Sequence, residues 1–175
     1  MKKTELKLIA ELLKNSHRSD RDLAKAVGVS QPSISRARIK LEREGYIKEY
    51  TIIPDFCKLG FSMCVFTFAK FKLPSDLTKM RELIAKYGER LEEIPQAVLI
   101  ERGMGENAEG IVVSFHESYS DHMKFQEWLK QFSDVSMYDL HSFVVNLEDN
   151  VHFRYLTFQT LAKYLQDKKQ TEKEQ

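Results

Sequence analysis

Cysteine is scarce: Cys57 and Cys64 are the only two in 175 residues, seven positions apart, with no C-x-x-C and no histidine companion pattern. A disulfide framework and a C-x-x-C zinc or redox module are thereby excluded. Both thiols are expected to be reduced core residues. No apolar run approaches the roughly 18 to 20 residues that a membrane span needs. The opening stretch MKKTELKLIAELLK is amphipathic and charged, unlike the apolar core of a signal peptide, so a cytoplasmic protein is expected. Catalytic signatures are absent too, with no G-x-S-x-G, no Walker loop and no paired carboxylate in an apolar context. His116 and His122 flank Asp121, but their spacing fits no common zinc pattern. His17, His141 and His152 are scattered, and most of the five histidines are expected at the surface or at strand edges. No metal, no cofactor and no enzymatic activity is expected.

An excess of one charge is also missing overall: 27 Lys and Arg face 26 Asp and Glu, a net of +1. The distribution is uneven, however. Residues 1–50 carry 12 cationic against 7 anionic side chains, a net of +5, and residues 51–175 carry 15 against 19, a net of −4. A basic first third joined to an acidic remainder implies two tasks, one of which meets a polyanion. The length accommodates two small domains.

What is present is organised around Ser30 to Ile47, SQPSISRARIKLEREGYI. Ser30 is a good helix N-cap, Pro32 is tolerated in the first turn, and Gly45 sits where a glycine ends a helix. At 100° per residue, Ile34, Ala37 and Leu41 share one face. Pro32, Arg36, Ile39 and Arg43 share the opposite face, flanked by Ser33, Ser35 and Lys40. Such a helix can pack on its own domain behind and face phosphates and base edges in front.

The preceding residues fit that role. Residues 4–15 place Leu6, Ile9, Ala10 and Leu13 at helical spacing. Ser19 opens a second helix with Asp22 as its capping partner, burying Leu23, Ala24 and Val27. Gly28 makes the tight turn, because a left-handed backbone costs little without a Cβ. Helix, short helix, glycine turn and cationic helix form the helix-turn-helix arrangement. The alternating YIKEYTII that follows reads as a short strand or wing, ended by Pro54.

The segments DRDLAKAVGVSQPSIS and LEREGYIKEYTIIPDFCKLGF resemble the DNA-binding half of the feast/famine (Lrp/AsnC) transcription regulators. That family shows Leu-Glu-x-x-Gly-x-Ile-x-x-Tyr and then a linker ending in Leu-Gly. Leu41-Glu42, Gly45, Ile47, Tyr50 and Leu59-Gly60 match in order. One departure is Arg38, where the family has an inward apolar residue. Either Arg38 snorkels past Leu41 to the domain edge, or the helix is rotated and Ile39 is partly buried. The first is preferred here, which leaves Ile39 free to touch a thymine methyl.

The second half reads β-α-β-β-α-β. Residues 61–72 form an apolar strand punctuated by Pro74 and Ser75. A helix over 76–90 carries Leu77, Met80, Leu83, Ile84 and Tyr87, and Gly88 ends it. Strands follow at 96–102 and 111–115, joined by the glycine-rich GMGENAEG. A helix over 119–132 buries Met123, Trp128, Leu129 and Phe132, and a last strand spans 135–147. This is the split-βαβ, ferredoxin-like unit, with one sheet face left uncovered. Because the outer runs are apolar on both faces, with Phe66, Phe68 and Phe71 among them, that face is expected to pack on a second copy.

The fold class is therefore α+β: a winged helix-turn-helix domain (1–53), a linker (54–61), a ferredoxin-like domain (62–150), a C-terminal helix (151–168) and a disordered tail (169–175). The resemblance implies dimerisation through the second domain and a small-molecule effector at Gly103, Met104 and Gly105, although the family's Asp-Tyr-Asp is absent after these glycines. It also usually stops near the fourth strand, so the C-terminal helix is extra and is expected to cap the open sheet or strengthen the dimer.

The chain is expected to bind double-stranded DNA sequence-specifically as a homodimer or higher oligomer, with Arg36 at a base edge, bidentate to guanine. Gln31, Pro32, Ser33 and Ser35 lie near the helix start, within reach of bases or phosphates. Lys25, Lys40 and Arg43 are expected on phosphates, which position the module. The alternative is a winged-helix protein-interaction or ligand-sensing module without specific DNA binding.

Overall fold

The computed structural model describes residues 1–71, 76–92, 94–131 and 137–171. The chain divides into two compact units. Unit 1 is Met1–Ile53 with Phe153–Gln175, and unit 2 is Pro54–His152.

Unit 1 contains α1 (Lys3–Lys14), α2 (Asp20–Val27), α3 (Gln31–Arg43) and the C-terminal helix, named α6 below because two helices of unit 2 precede it in the chain. Leu8 and Leu12 of α1, Leu23, Ala24 and Val27 of α2, and Ile34 and Leu41 of α3 make one core. The phase of α1 differs from expectation. Leu8, Ala10 and Leu12 are buried, while Leu6, Ile9 and Leu13 are half-buried. The cause is packing on two sides, since α2 and α3 meet α1 on one flank and the C-terminal helix meets it on another. A helix covered twice needs apolar residues beyond a single stripe.

Tyr46–Ile53 forms no strand, contrary to the expected wing. A strand needs a neighbour to take its backbone N–H and C=O groups, and no described residue of unit 1 supplies one. The segment is instead pinned by side chains: the Tyr50 hydroxyl donates to Glu42 Oε1 at 2.7 Å.

The ferredoxin-like unit contains β1 (Met63–Phe71), α4 (Leu77–Glu92), β2 (Ala97–Gly105), β3 (Ala108–His116), α5 (Tyr119–Lys130) and β4 (Met137–Asn146). The strands form one antiparallel sheet in the order β2-β3-β1-β4. Val65, Thr67 and Ala69 alternate towards the face bearing α5, opposite Ser114, Val112 and Gly110. There Val112 joins Ile94, Phe125 and Leu129 in a second core. Cys64, Phe66 and Phe68 point the other way, beside Phe115, Val113 and Ile111 of β3 and Val145, Phe143 and His141 of β4. One end of that second face is covered by Phe56, whose ring stacks on Phe115 at 4.0 Å. Leu99 and Phe143 remain 44% and 65% exposed on it.

Three details of unit 2 depart from the sequence reading. Gly88 does not end α4, which runs on to Glu92. The glycine-rich stretch is no loop: β2 extends to Gly105 and β3 begins at Ala108. Glu106 and Asn107 alone turn the chain, with φ of +48° and +56°. Two positive φ values make this a type I′ hairpin, in which asparagine tolerates the left-handed region. On α5, Phe125 and His122 are buried with Leu129, while Met123 and Trp128 are half-buried. Pro74, Ser75 and Phe132, and the side chains of Phe71, Leu77, Leu83, Ile84 and Tyr87, lie outside the described residues.

The C-terminal helix, α6, spans Gln159–Thr171 rather than 151–168. Thr157 sets its start, its hydroxyl accepting the Gln159 N–H at 3.2 Å. Helix α6 does not stand alone. It packs on α1, with Ala162 fully buried and Gln166 Nε2 donating to Glu11 Oε1 at 3.1 Å. Residues 169–171, expected in a disordered tail, are helical, and 172–175 lie outside the described residues.

Candidate nucleic-acid interface

The site is built on the α2–turn–α3 unit. Ser19 caps α2, its hydroxyl accepting the Asp22 N–H at 3.2 Å. Gly28 takes φ +81° and closes α2 through its N–H to Ala24 O. Ser30 stands at the N-cap of α3, but its hydroxyl bonds the Ser33 hydroxyl at 2.8 Å instead of a backbone N–H. Gly45, at φ +73°, turns the chain out of α3.

This helix presents the two faces that its sequence foretold. Ile34 and Leu41 are fully buried and Ala37 is half-buried, while Gln31, Pro32, Arg36, Ile39 and Arg43 are exposed. Lys25 is exposed on α2. Arg36, Arg43 and Lys25 form no ion pair among the described residues, so their charges are available to an outside anion.

The flanking residues are engaged. Asp20, at the start of α2, receives the Ser35 hydroxyl at 2.6 Å and Arg38 Nη2 at 2.5 Å. These bonds tie the first turn of α2 to the middle of α3. Arg38 thus reaches the domain edge as the snorkelling alternative requires, with its guanidinium 5.7 Å from the Tyr50 ring centroid. Burial works against the Arg38 charge, but Tyr50 and Asp20 outweigh it and hold its pKa above the ordinary arginine value. Ile39 is 61% exposed, which removes the rotated-helix alternative. Lys40 Nζ lies 2.7 Å from Glu5 Oε1, and Glu5 also accepts the Lys2 N–H at the start of α1. The Lys40 bond, joined by that of Lys2, lowers the Glu5 pKa, and the same bond raises that of Lys40. Sequence reading missed Asp20 and Glu5 as organisers of this face. Both bond partners 15 or more positions away, where helical periodicity carries no signal, although Glu5 is three residues after Lys2 as in a capping box.

Gly103, Met104 and Gly105 are the last residues of β2, beside the Glu106–Asn107 turn, where Met104 is fully exposed. Two of the five histidines are buried, where most were expected at the surface or at strand edges. His116 is 0% exposed and His122 is 2% exposed. The reason is register, since His116 continues the inward alternation of Val112 and Ser114. His116 Nδ1 lies 3.0 Å from Asp121 Oδ2, and its Nε2 lies 2.9 Å from Ser114 Oγ. A carboxylate only accepts, so Nδ1 carries the proton and, in the neutral ring, Nε2 accepts from the Ser114 hydroxyl. This resembles a hydrolase triad in connectivity, but Ser114 is itself fully buried in the sheet.

His122 Nδ1 is buried without a hydrogen-bond partner. Burial, with His116 nearby, pushes the His122 pKa below 6.5. A base with a depressed folded pKa stabilises the fold fully above its unfolded value and loses that contribution as pH falls towards the folded pKa. Denaturant melts of unit 2 should therefore weaken as pH drops below about 6.5, and His122→Asn should flatten that slope. An unchanged slope in the variant would remove His122 as its source.

Residues 1–48 match the winged helix-turn-helix DNA-binding family model. An HTH-type transcriptional regulator from Pyrococcus abyssi is 34% identical over 122 residues, covering 65% of this chain and 80% of that one. The chain belongs to the helix-turn-helix transcriptional regulators of the Lrp/AsnC family. LrpC, the HTH-type regulator of Bacillus subtilis, is 37% identical over 68 residues, 39% of this chain and 47% of that protein. The crystal structure of an AsnC-family regulator from Agrobacterium tumefaciens shares the fold, with TM-score 0.68 and 20% identity over 92% of this chain and 99% of that one. This Lrp/AsnC-family protein is accordingly a DNA-binding transcription regulator.

Proposed function

We propose that α3 enters the major groove with Arg36 at a base edge, Ile39 against a thymine methyl, and Lys25 and Arg43 on phosphates. The observation that carries this reading is the division of α3: Ile34 and Leu41 seal its rear, while its front holds, around an exposed isoleucine, two arginines that form no ion pair among the described residues. Gln31, Pro32 and Ser33 at the start of α3 stand nearest the groove floor or the adjoining phosphate. Ser35 and Lys40 act at second hand, through Asp20 and Glu5, with Lys40 adding positive potential at the rim.

Two copies associate through the open face of the sheet, where Phe66, Phe68, Leu99 and Phe143 would otherwise meet water. Such a dimer reads two half-sites about one helical turn apart, or a multiple of it. The functional boundaries are residues 1–53 for DNA and 62–150 for assembly, with 54–61 as linker, and α6 serves the DNA-binding part. An effector at Gly103, Met104 and Gly105 would need walls from a second copy, since the hairpin tip encloses nothing. The protein works in the cytoplasm and without catalysis, a reading supported by the burial of Ser114 beneath α5. No helix of the described residues is long and apolar enough to cross a membrane.

Salt dependence tests the DNA reading. With Lys25 and Arg43 of two copies on phosphates, log affinity should fall against log salt with a slope of about −3 to −4. Sedimentation in the same buffers should return twice the chain mass. A flat salt response would sink the groove placement, and a monomer at working concentration would sink the sheet-face dimer.

A further inference from the structure

Just past the end of α3, the N–H groups of Tyr46 and Ile47 still bond Leu41 O, at 2.9 and 3.2 Å. Residues 48–53 are then exposed. Of the two places where the chain crosses between its units, Ile53 and Phe153, the first follows α3 directly. Tyr50 holds this exit. Its hydroxyl donates to Glu42 Oε1, and its ring centroid lies 5.7 Å from the Arg38 guanidinium, within the range of a cation–π contact. Arg38 is fixed in turn by Asp20, and the two side chains are only 21% and 24% exposed. Three elements therefore meet in one run of contacts: α2 through Asp20, α3 through Arg38 and Glu42, and the exit through Tyr50.

We propose that Arg38 is a positioning residue that sets the spacing between two DNA half-sites, by clamping Tyr50 and so fixing the direction in which the chain leaves α3. The inference rests on the reading of the protein as a dimer with α3 in the major groove. Reading heads on free tethers accept half-sites at many separations, because effective concentration changes slowly along a flexible link. Heads on fixed exits engage both half-sites only where the duplex presents them at the matching distance and helical phase. The clamp turns the first case into the second.

Arginine suits this place. Its planar guanidinium can bond a carboxylate at its edge while a ring lies against its face, which neither a lysine nor an apolar side chain can reproduce. The leucine-like residue that the family pattern puts here could bond no carboxylate and offer no cation to Tyr50. Burial, together with the Glu42 bond, pushes the Tyr50 pKa up, so its hydroxyl remains a donor at neutral pH. Asp20 already takes up the Arg38 charge, which leaves this arginine little to offer a phosphate.

The test uses full-length protein, Arg38→Leu, Tyr50→Ala and the double variant. Each selects from a pool of random-sequence duplexes about 60 base pairs long, several helical turns, and the bound molecules are sequenced. Tyr50 is 45% exposed, so its replacement spares the core of α1–α3. The half-site sequence should be the same in every selection. In the wild-type selection, half-site pairs in the preferred phase should outnumber those displaced by about five base pairs, half a turn, by about tenfold or more. In both single variants that ratio should fall to about threefold or less. The double variant should match them, because each substitution opens the same clamp. A merely structural role would reduce the yield of bound DNA and leave the ratio alone. The proposal is overturned by a ratio that the variants preserve, or by an altered half-site sequence in Arg38→Leu, which would put this side chain on a base. It is also overturned by a wild-type protein that sediments as a dimer yet shows no preferred phase. Lone half-sites selected by a protein that sediments as a monomer would instead sink the dimer reading, and this inference with it.

Discussion

Arg36→Ala is expected to cost about 1–3 kcal/mol of DNA affinity per half-site and to relax preference at one base pair of each. Arg36 sits on the outer face of α3 with no ion pair among the described residues, while Ile34 and Leu41 anchor the rear of the same helix. Removing it leaves the fold untouched, so the loss is one of recognition. Lys40→Ala provides the contrast. Its ammonium already bonds Glu5, whose side chain is 6% exposed, so it has less to offer a phosphate. That variant should weaken all DNA sequences alike, by less than Arg36→Ala does, and should also lower the stability of unit 1 by stranding a buried carboxylate. Fluorescence anisotropy against the operator and a panel of single-base variants separates the two. A uniform loss for Arg36→Ala would move it from base to backbone, and unchanged affinity in both variants would remove α3 from the groove.

The helix-turn-helix could be read from the chain because its instructions are local. Ser19 and Asp22, Gly28, Pro32 and Gly45 each act within a few residues of themselves, and α3 is buried on one side only, so its phase follows from counting. The misreadings share an opposite cause. The phase of α1 depends on α6, with Gln166 and Glu11 lying 155 positions apart. A wing at Tyr46–Ile53 required a partner strand that no sequence pattern guarantees. The glycines of the hairpin draw attention to the wrong positions, because the turn falls on Glu106 and Asn107. His116 was legible in principle, since Val112, Ser114 and His116 alternate along one strand. Its polarity drew the reading outward, and only the bonds to Ser114 and Asp121 explain how the core accepts it.

Ala162→Asp is expected to release α6 from α1 and to lower the stability of unit 1 by about 2–4 kcal/mol. Ala162 is fully buried at this contact. Lys14 and Arg18, which meet Glu11 at the α1–α6 contact, are already engaged by that carboxylate. Undocking is cheaper than burying the charge, so the cost is limited to what docking contributes. The remaining core of Leu8, Leu23, Ile34 and Leu41 should keep α1–α3 folded. Because the chain has two units, a single melting curve would blend their transitions, and hydrogen exchange resolved by segment is the better measure. Protection should fall sharply across 159–171 and partly along α1, while β1–β4 stay unchanged. DNA affinity should drop only as far as α1 loosens, since α6 packs on α1. Protection in 159–171 that survives Ala162→Asp would mean that α6 is held by something other than α1, and the DNA-binding part would then be the three N-terminal helices alone.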